Sequence, residues 1–260
     1  MKKCIKELSI ILLALIVLGE GAGIYKLYQH NNSQDHSIVQ IKQDLESVKF
    51  AVSAQGEIAW KDDDFNYLAL GNSITKHEIC DYWWDDIGMA ASQEDKDYFH
   101  LVSERLDNLT GGVNSYAYNF SVWENQINDR SQTLALLDNI LDERIDLITV
   151  QLGENVYEYE TFENDYCELL QYIKNKCPDT QIIMIGCFWN MPECENIKVR
   201  ASQKFDLNYV DLTDIWDDPD YSAAMGTDVY DEFGKAHGLI IKGSQNIQEI
   251  GVWIILLTGL

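Results

Sequence analysis

From residue 63 onward the chain shows two hydrophobic spacings. Short, near-continuous apolar runs, such as FNYLAL at 65–70, IDLITVQL at 145–152 and QIIMIG at 181–186, recur between longer segments in which apolar residues return every three or four positions. Runs of the first kind suit strands buried on both faces, and segments of the second suit helices laid against them. The pattern predicts strands at Phe65–Leu70, Val113–Phe120, Asp146–Leu152, Gln181–Phe188 and Leu207–Val210. It predicts helices at Asp95–Leu109, around Thr133–Leu141, at Phe162–Lys176 and near Ile197–Phe205, with Pro178 stopping the third. Strand and helix in alternation predict an α/β domain: a doubly wound, mostly parallel sheet flanked by helices in three layers, with ligands at the carboxyl ends of the strands.

Upstream the pattern changes. MKKCIKELSIILLALIVLGEGAGIYKLYQH places Lys2, Lys3 and Lys6 before an apolar run from Leu8 to Leu18. That run suits a signal core better than a full bilayer span, and no clear A-x-A site follows, which favours an uncleaved signal anchor over a cleaved signal. By the positive-inside rule the lysines stay in the cytoplasm. The rest of the chain is then extracytoplasmic, on a single-pass anchor at the cell membrane, or secreted if the segment is cleaved. A polar linker, HNNSQDHS, leads to Ile38, Ile41, Leu45, Val48 and Val52 at heptad spacing. Two heptads are too few for a stable coiled coil, so this reads either as a short stalk helix or as a helix packed on the domain. The expected layout is an anchor at 1–30, linker and stalk at 31–60, and the α/β domain at 61–260.

A formal charge of −24 and a pI near 4.3 exclude nucleic acid as a partner, because phosphate binding needs a basic footprint. The cysteines Cys80, Cys167, Cys177, Cys187 and Cys194 show no CxxC pairs for zinc. One disulfide among Cys177, Cys187 and Cys194, or buried free thiols, both fit.

The chemistry starts where the first strand meets Gly71-Asn72-Ser73. A serine on a tight turn after a buried strand holds its hydroxyl out at the sheet edge, as a nucleophile requires; it can equally cap a following helix. The strand Asp146–Leu152 ends in Gly153-Glu154-Asn155, which this architecture sets beside the Ser73 turn. A side-chain amide there can donate to an oxygen that gains charge when Ser73 attacks a carbonyl. Trp83 and Trp84 read as a sugar-stacking wall or as packing. Glu154 either orients a water or the substrate, or faces solvent. His77 follows Ser73 too closely to serve as its base and reads as a surface residue.

Gly-Asn-Ser after the first strand with Gly-x-Asn after the third resembles the SGNH (GDSL-like) hydrolase family. The segments LALGNSITKH, WWDDIGMAASQEDKDY, NFSVWENQ and ITVQLGENV read like a membrane-anchored bacterial subgroup of it, and the resemblance covers residues 63–243. It implies an SGNH-hydrolase, flavodoxin-like sandwich with Ser73 as nucleophile. It also implies the Ser73 backbone N–H as one oxyanion donor and the Asn155 side chain as a second. The family's third donor is usually a glycine N–H after the second strand. NFSVWENQ has no glycine, and Glu124 takes that place, its backbone donating if the turn keeps the family's shape. No metal or organic cofactor is implied.

An activated serine needs a histidine within reach. The family carries it in a C-terminal segment resembling HPGDxGMxxIAD, whereas this chain ends, after Lys242-Gly243, in SQNIQEIGVWIILLTGL. Read two bases later, the codons spanning Asn246 to Glu249 admit His, Pro and Gly. Those beyond them admit Asp, then Gly and Met; Asp is forced across Trp253 and Ile254, and Ile-Ala-Asp-Arg-Ile is admitted to the end. A single-base deletion near Ser244 that shifts the frame and removes the catalytic histidine accounts for all of these together. A divergent apolar tail is the alternative. His237, in DEFGKAHG, is the histidine nearest the lost motif and the candidate stand-in base. The expected function is a serine ester hydrolase acting on small acyl, chiefly acetyl, esters of glycans outside the cytoplasm, inactive as written if the shift is real. A non-catalytic surface glycan-binding protein on the same scaffold is the competing class.

Overall fold

The computed structural model describes residues 58–238 except 81–82, 90, 127–128, 217, 219–220 and 222–227. The anchor, the stalk and the tail at 244–260 lie outside the described residues. Among the described residues no helix is long and apolar enough to cross a membrane.

Five strands, β1 (Phe65–Gly71), β2 (Val113–Asn119), β3 (Leu147–Gln151), β4 (Gln181–Ile185) and β5 (Asn208–Val210), form a wholly parallel sheet in the order β2-β1-β3-β4-β5. The chain winds outward from β1 to β2, then crosses back to β3 and runs the other way. The order reverses between β1 and β3, so their carboxyl ends flank the crevice where ligands of such sheets bind. A hairpin of β6 (Asp228–Tyr230) and β7 (Ala236–Gly238), not anticipated from the pattern, comes after the sheet.

Four helices connect these strands: α1 (Tyr98–Thr110), α2 (Ser121–Asn125), α3 (Phe162–Lys176) and α4 (Pro192–Phe205). One sheet face buries Leu68, Leu70, Ile148, Val150, Ile182 and Met184 against Phe162, Tyr166, Leu170 and Ile173 of α3 and Ile197 and Ala201 of α4. The other buries Tyr67, Ala69, Leu147, Ile183 and Ile185 with Tyr98, Val102 and Leu106 of α1. Each fully buried large aliphatic contributes roughly 1.5–3 kcal/mol, so both faces are needed to hold the sheet.

Local departures from the expected elements have physical causes. α1 begins at Tyr98 because the Asp97 carboxylate caps it, accepting the His100 N–H at 2.8 Å, and it ends at Gly111 with φ 79°. The expected helix around Thr133–Leu141 is a 3₁₀ run over Arg130–Asn139. Its buried apolar residues Leu134 and Leu137, with Ile140 at the cap, recur every third position, which fits three residues per turn. β4 stops at Ile185 rather than Phe188 because side chains take the next peptide groups: Glu195 accepts the Cys187 N–H at 2.7 Å and Glu154 accepts the Phe188 N–H at 3.0 Å. α4 begins at Pro192, five residues before its apolar spacing reveals it.

Gly71 closes β1 where no side chain fits. A Cβ there would lie 2.8 Å from the Gln151 carbonyl oxygen and nearer still to Thr75 Oγ1, whereas one on Gly112 would meet nothing closer than Asp64 at 3.5 Å. Gly71→Ala is expected to cost about 1–3 kcal/mol of stability and Gly112→Ala far less, as read by urea unfolding. Equal costs would mean that the β1 terminus has room to adjust.

Candidate active site

Three strand ends converge at the crevice. After β1, the fully buried Asn72 organises a tight turn: its Oδ1 accepts the Ile74 N–H at 3.0 Å, and its backbone oxygen accepts the N–H groups of Thr75 and Lys76. Ser73 sits half-buried on this turn, its own carbonyl accepting the Met89 N–H at 2.8 Å. No helix starts here, so the helix-cap reading of Ser73 does not apply. Among the described residues nothing hydrogen-bonds its hydroxyl.

After β3, Gly153 adopts φ 138°, and a Cβ there would lie 2.6 Å from Cys194 Sγ, so the turn that presents Glu154 and Asn155 needs glycine on both counts. After β2, α2 carries Glu124, which is 1% exposed. Its Oε2 accepts from Asn155 Nδ2 at 2.7 Å, and its Oε1 accepts from Asn72 Nδ2 at 3.1 Å and from the Gly153 N–H. The sheet thus brings Ser73, Asn155 and Glu124 together at one edge.

Glu124 enters this site differently from the expectation. The Phe120 carbonyl at the start of α2 takes the Trp123 N–H at 2.9 Å, and what Glu124 sends to the crevice is its carboxylate. Glu154 faces neither solvent nor an open cleft. It is buried, with Oε2 accepting from Asn72 Nδ2 at 2.7 Å and Oε1 from the Phe188 N–H, so it is part of the frame.

The tryptophans are a packed stack rather than an open wall. Trp83 is buried with Nε1 donating to the Ile87 carbonyl, and Trp84 lies against both Trp83, at 4.4 Å between ring centroids, and His237, at 4.1 Å. His237 Nε2 lies 2.8 Å from Asp231 Oδ2 across the hairpin turn, and this bond holds the Asp231 carboxyl below its ordinary range. The structure records no bond between His237 and Ser73. His77 Nδ1 pairs with the Glu78 carbonyl at 2.7 Å, and burial lowers its pKa. The cysteines Cys80, Cys167, Cys177, Cys187 and Cys194 are free thiols.

Sequence reasoning missed Asn72 as the hinge of the site and Asp231 as the partner of His237. Asn72 stands between glycine and serine in the Gly-Asn-Ser motif, and an amide at a strand end with no exposed partner was the available signal. Asp231 lies six residues from His237 across a turn the pattern did not reveal.

Electrostatically the site is costly. Two buried carboxylates, Glu124 and Glu154, share one Asn72 amide. Burial, and then the Glu154 charge, raise the Glu124 pKa to about 7, while the hydrogen bonds from Asn155, Gly153 and Asn72 pull the other way. The fully buried Lys198, on α4 behind Gly153, adds a positive charge within electrostatic reach of Glu154.

No protein-family model matches the chain, and no curated protein matches its sequence. Solved structures with similar topology include a phospholipase A1 from Streptomyces albidoflavus (12% identity, 57% of this chain and 79% of that one, TM-score 0.38). A two-domain esterase active on acetylated mannans matches at 13% identity over 64% of this chain, with a TM-score of 0.44. The chain spans 41% of that esterase's length. AlinE4, an SGNH-hydrolase family esterase, matches at 15% identity over 62% of this chain and 83% of that one, with a TM-score of 0.43. Those activities belong to those proteins; the fold assignment here rests on strand order and register.

A carboxyl whose pKa is raised in the fold adds stability that is complete below its unfolded value and fades as pH rises through the folded one. The melting temperature should therefore fall between pH 5 and 8, and fall less in Glu124→Gln. Parallel curves for the two proteins in differential scanning fluorimetry would show that Glu124 does not titrate in that window.

Proposed function

We propose that this chain carries the site of an SGNH-type serine carboxylic ester hydrolase that removes small acyl groups, chiefly acetyl, from glycans outside the cytoplasm. The observation that supports it is the meeting of the Ser73 turn and the Asn155 amide at the switch point of the sheet. In this reading Ser73 Oγ attacks the ester carbonyl carbon. The oxygen that gains charge is met by the Ser73 N–H and by the Asn155 N–H that Glu124 leaves over. A histidine takes the serine proton and passes it to the departing alcohol, and water then hydrolyses the acyl-serine ester.

The base is where the chain as written falls short. We propose that the frame shift near Ser244 removed it. The Asp231–His237 pair is the candidate to stand in, because its imidazole is bonded to a carboxylate as a catalytic base is. The absence of any partner for the Ser73 hydroxyl among the described residues favours, as second reading, a non-catalytic protein on the same scaffold. The packed Trp83–Trp84 stack offers that reading no open aromatic face.

Restoring the frame should raise hydrolysis of simple acetyl esters by roughly 10⁴–10⁶, the usual cost of losing a member of such a triad. Only Ser73 should then take up a fluorophosphonate probe, as read by peptide mapping. Labelling of another serine in the folded protein would remove Ser73 from the mechanism. Equal activity before and after repair would assign the base to His237 or another visible group.

The lysine-rich start and the apolar run support placing the domain outside the cytoplasm. Protease added to intact cells should then digest the domain, and full protection would refute export.

A further inference from the structure

We infer that Glu124 is a positioning residue: its buried carboxylate decides which way the Asn155 amide faces and ties that amide to the turn carrying Ser73. The catalytic consequence rests on the ester-hydrolase reading, whereas the structural one rests on geometry alone.

An ionised carboxylate only accepts hydrogen bonds. Asn155 can therefore meet Glu124 Oε2 at 2.7 Å only through Nδ2, and the amide's second N–H is left for a substrate oxygen. Asn72 is oriented in the same way. Its Nδ2 faces Glu124 at 3.1 Å and Glu154 at 2.7 Å, so its Oδ1 is left to accept the Ile74 N–H and close the turn under Ser73. The Gly153 N–H is the third donor to the same carboxylate. If Glu124 takes up a proton, one of its oxygens gains a donor among donors and becomes a poorer acceptor, so the contact at that oxygen weakens or its amide turns.

The charged groups around Glu124 leave that proton a real competitor. Glu154 opposes ionisation from the β3 side. Arg130, the cation nearest in sequence, sends Nη2 to the Glu124 carbonyl oxygen at 3.3 Å and Nη1 to Asp165 at 2.7 Å, so its charge is held away from the carboxylate. Lys198 stands behind Glu154. The amide clamp is thus assembled when Glu124 is ionised and released when it is protonated, so activity should rise with pH over the range in which the fold itself loses stability.

The test pairs side-chain amide NMR of the full chain, which needs no activity, with kinetics of the frame-repaired enzyme. In the full chain the Nδ2 resonances of Asn72 and Asn155, assigned by substitution, are expected to move together with pH through one midpoint. Glu124→Gln should abolish that movement. Glu154→Gln should keep it at a lower midpoint, because a neighbouring charge is gone; this variant also decides the matter if Glu124→Gln does not fold. In the repaired enzyme Glu124→Gln should lower kcat about 10²-fold with KM within about twofold. Combined with Asn155→Ala it should be no slower than Asn155→Ala alone, since both remove one donor. An Asn155 resonance indifferent to pH and to Glu124→Gln overturns the inference, and so do additive losses in the double variant. If the repaired enzyme hydrolyses no ester while the resonances move as described, the hydrolase reading fails and the positioning role stands.

Discussion

The site depends on a buried carboxylate that only accepts. Glu124 lies beyond β2, Asn72 beyond β1, and Gly153 and Asn155 beyond β3, so one side chain gathers the carboxyl ends of three adjacent strands. Glu154 extends the chain of contacts to the end of β4 through the Phe188 N–H. Parallel strands are joined to one another by ladder bonds along their length, but nothing in a ladder sets the conformation of the loops beyond it. Here two carboxylates do that, and they take up peptide N–H groups that burial would otherwise leave unpaired.

This arrangement sets stability against preorganisation. Two buried carboxylates sharing one amide repel each other, and the fold offsets this with directed N–H donors and with the ammonium of Lys198 behind Glu154. The ionised state that orients Asn72 and Asn155 is the one the fold tolerates least. Sites that hold charge ready for a transition state commonly carry such local cost.

A second set of contacts is aromatic. Trp84 lies against Trp83 and against His237, whose imidazole is bonded to Asp231. The hairpin that carries the histidine is thereby joined to the 83–89 segment, which itself pairs with the Ser73 turn through the Met89 N–H. The same packing links the Asp231–His237 pair, through Trp84, to the segment that pairs with the Ser73 turn.

Much of this was legible in the chain. Near-continuous apolar strands alternating with amphipathic helices determined a parallel, doubly wound sheet, because strands buried on both faces need apolar residues at every position, and that architecture put Ser73 and Asn155 at one edge. Element ends were less legible. Asp97, Glu154 and Glu195 start or stop elements through side-chain bonds made to backbone groups, and such bonds leave no periodic trace. The role of Glu124 was hidden for a related reason: counting along the sequence places its backbone, whereas only the packed sheet determines that its side chain points beneath the crevice. Trp83 and Trp84 show the same limit, since a pair of aromatics has the same sequence whether its faces are open or stacked. Hydrophobic spacing is a local property, so the sequence by itself determined the strands, the helices and the sheet they build. The direction of a buried polar side chain depends on donors brought from distant strands, and only the tertiary structure decided that.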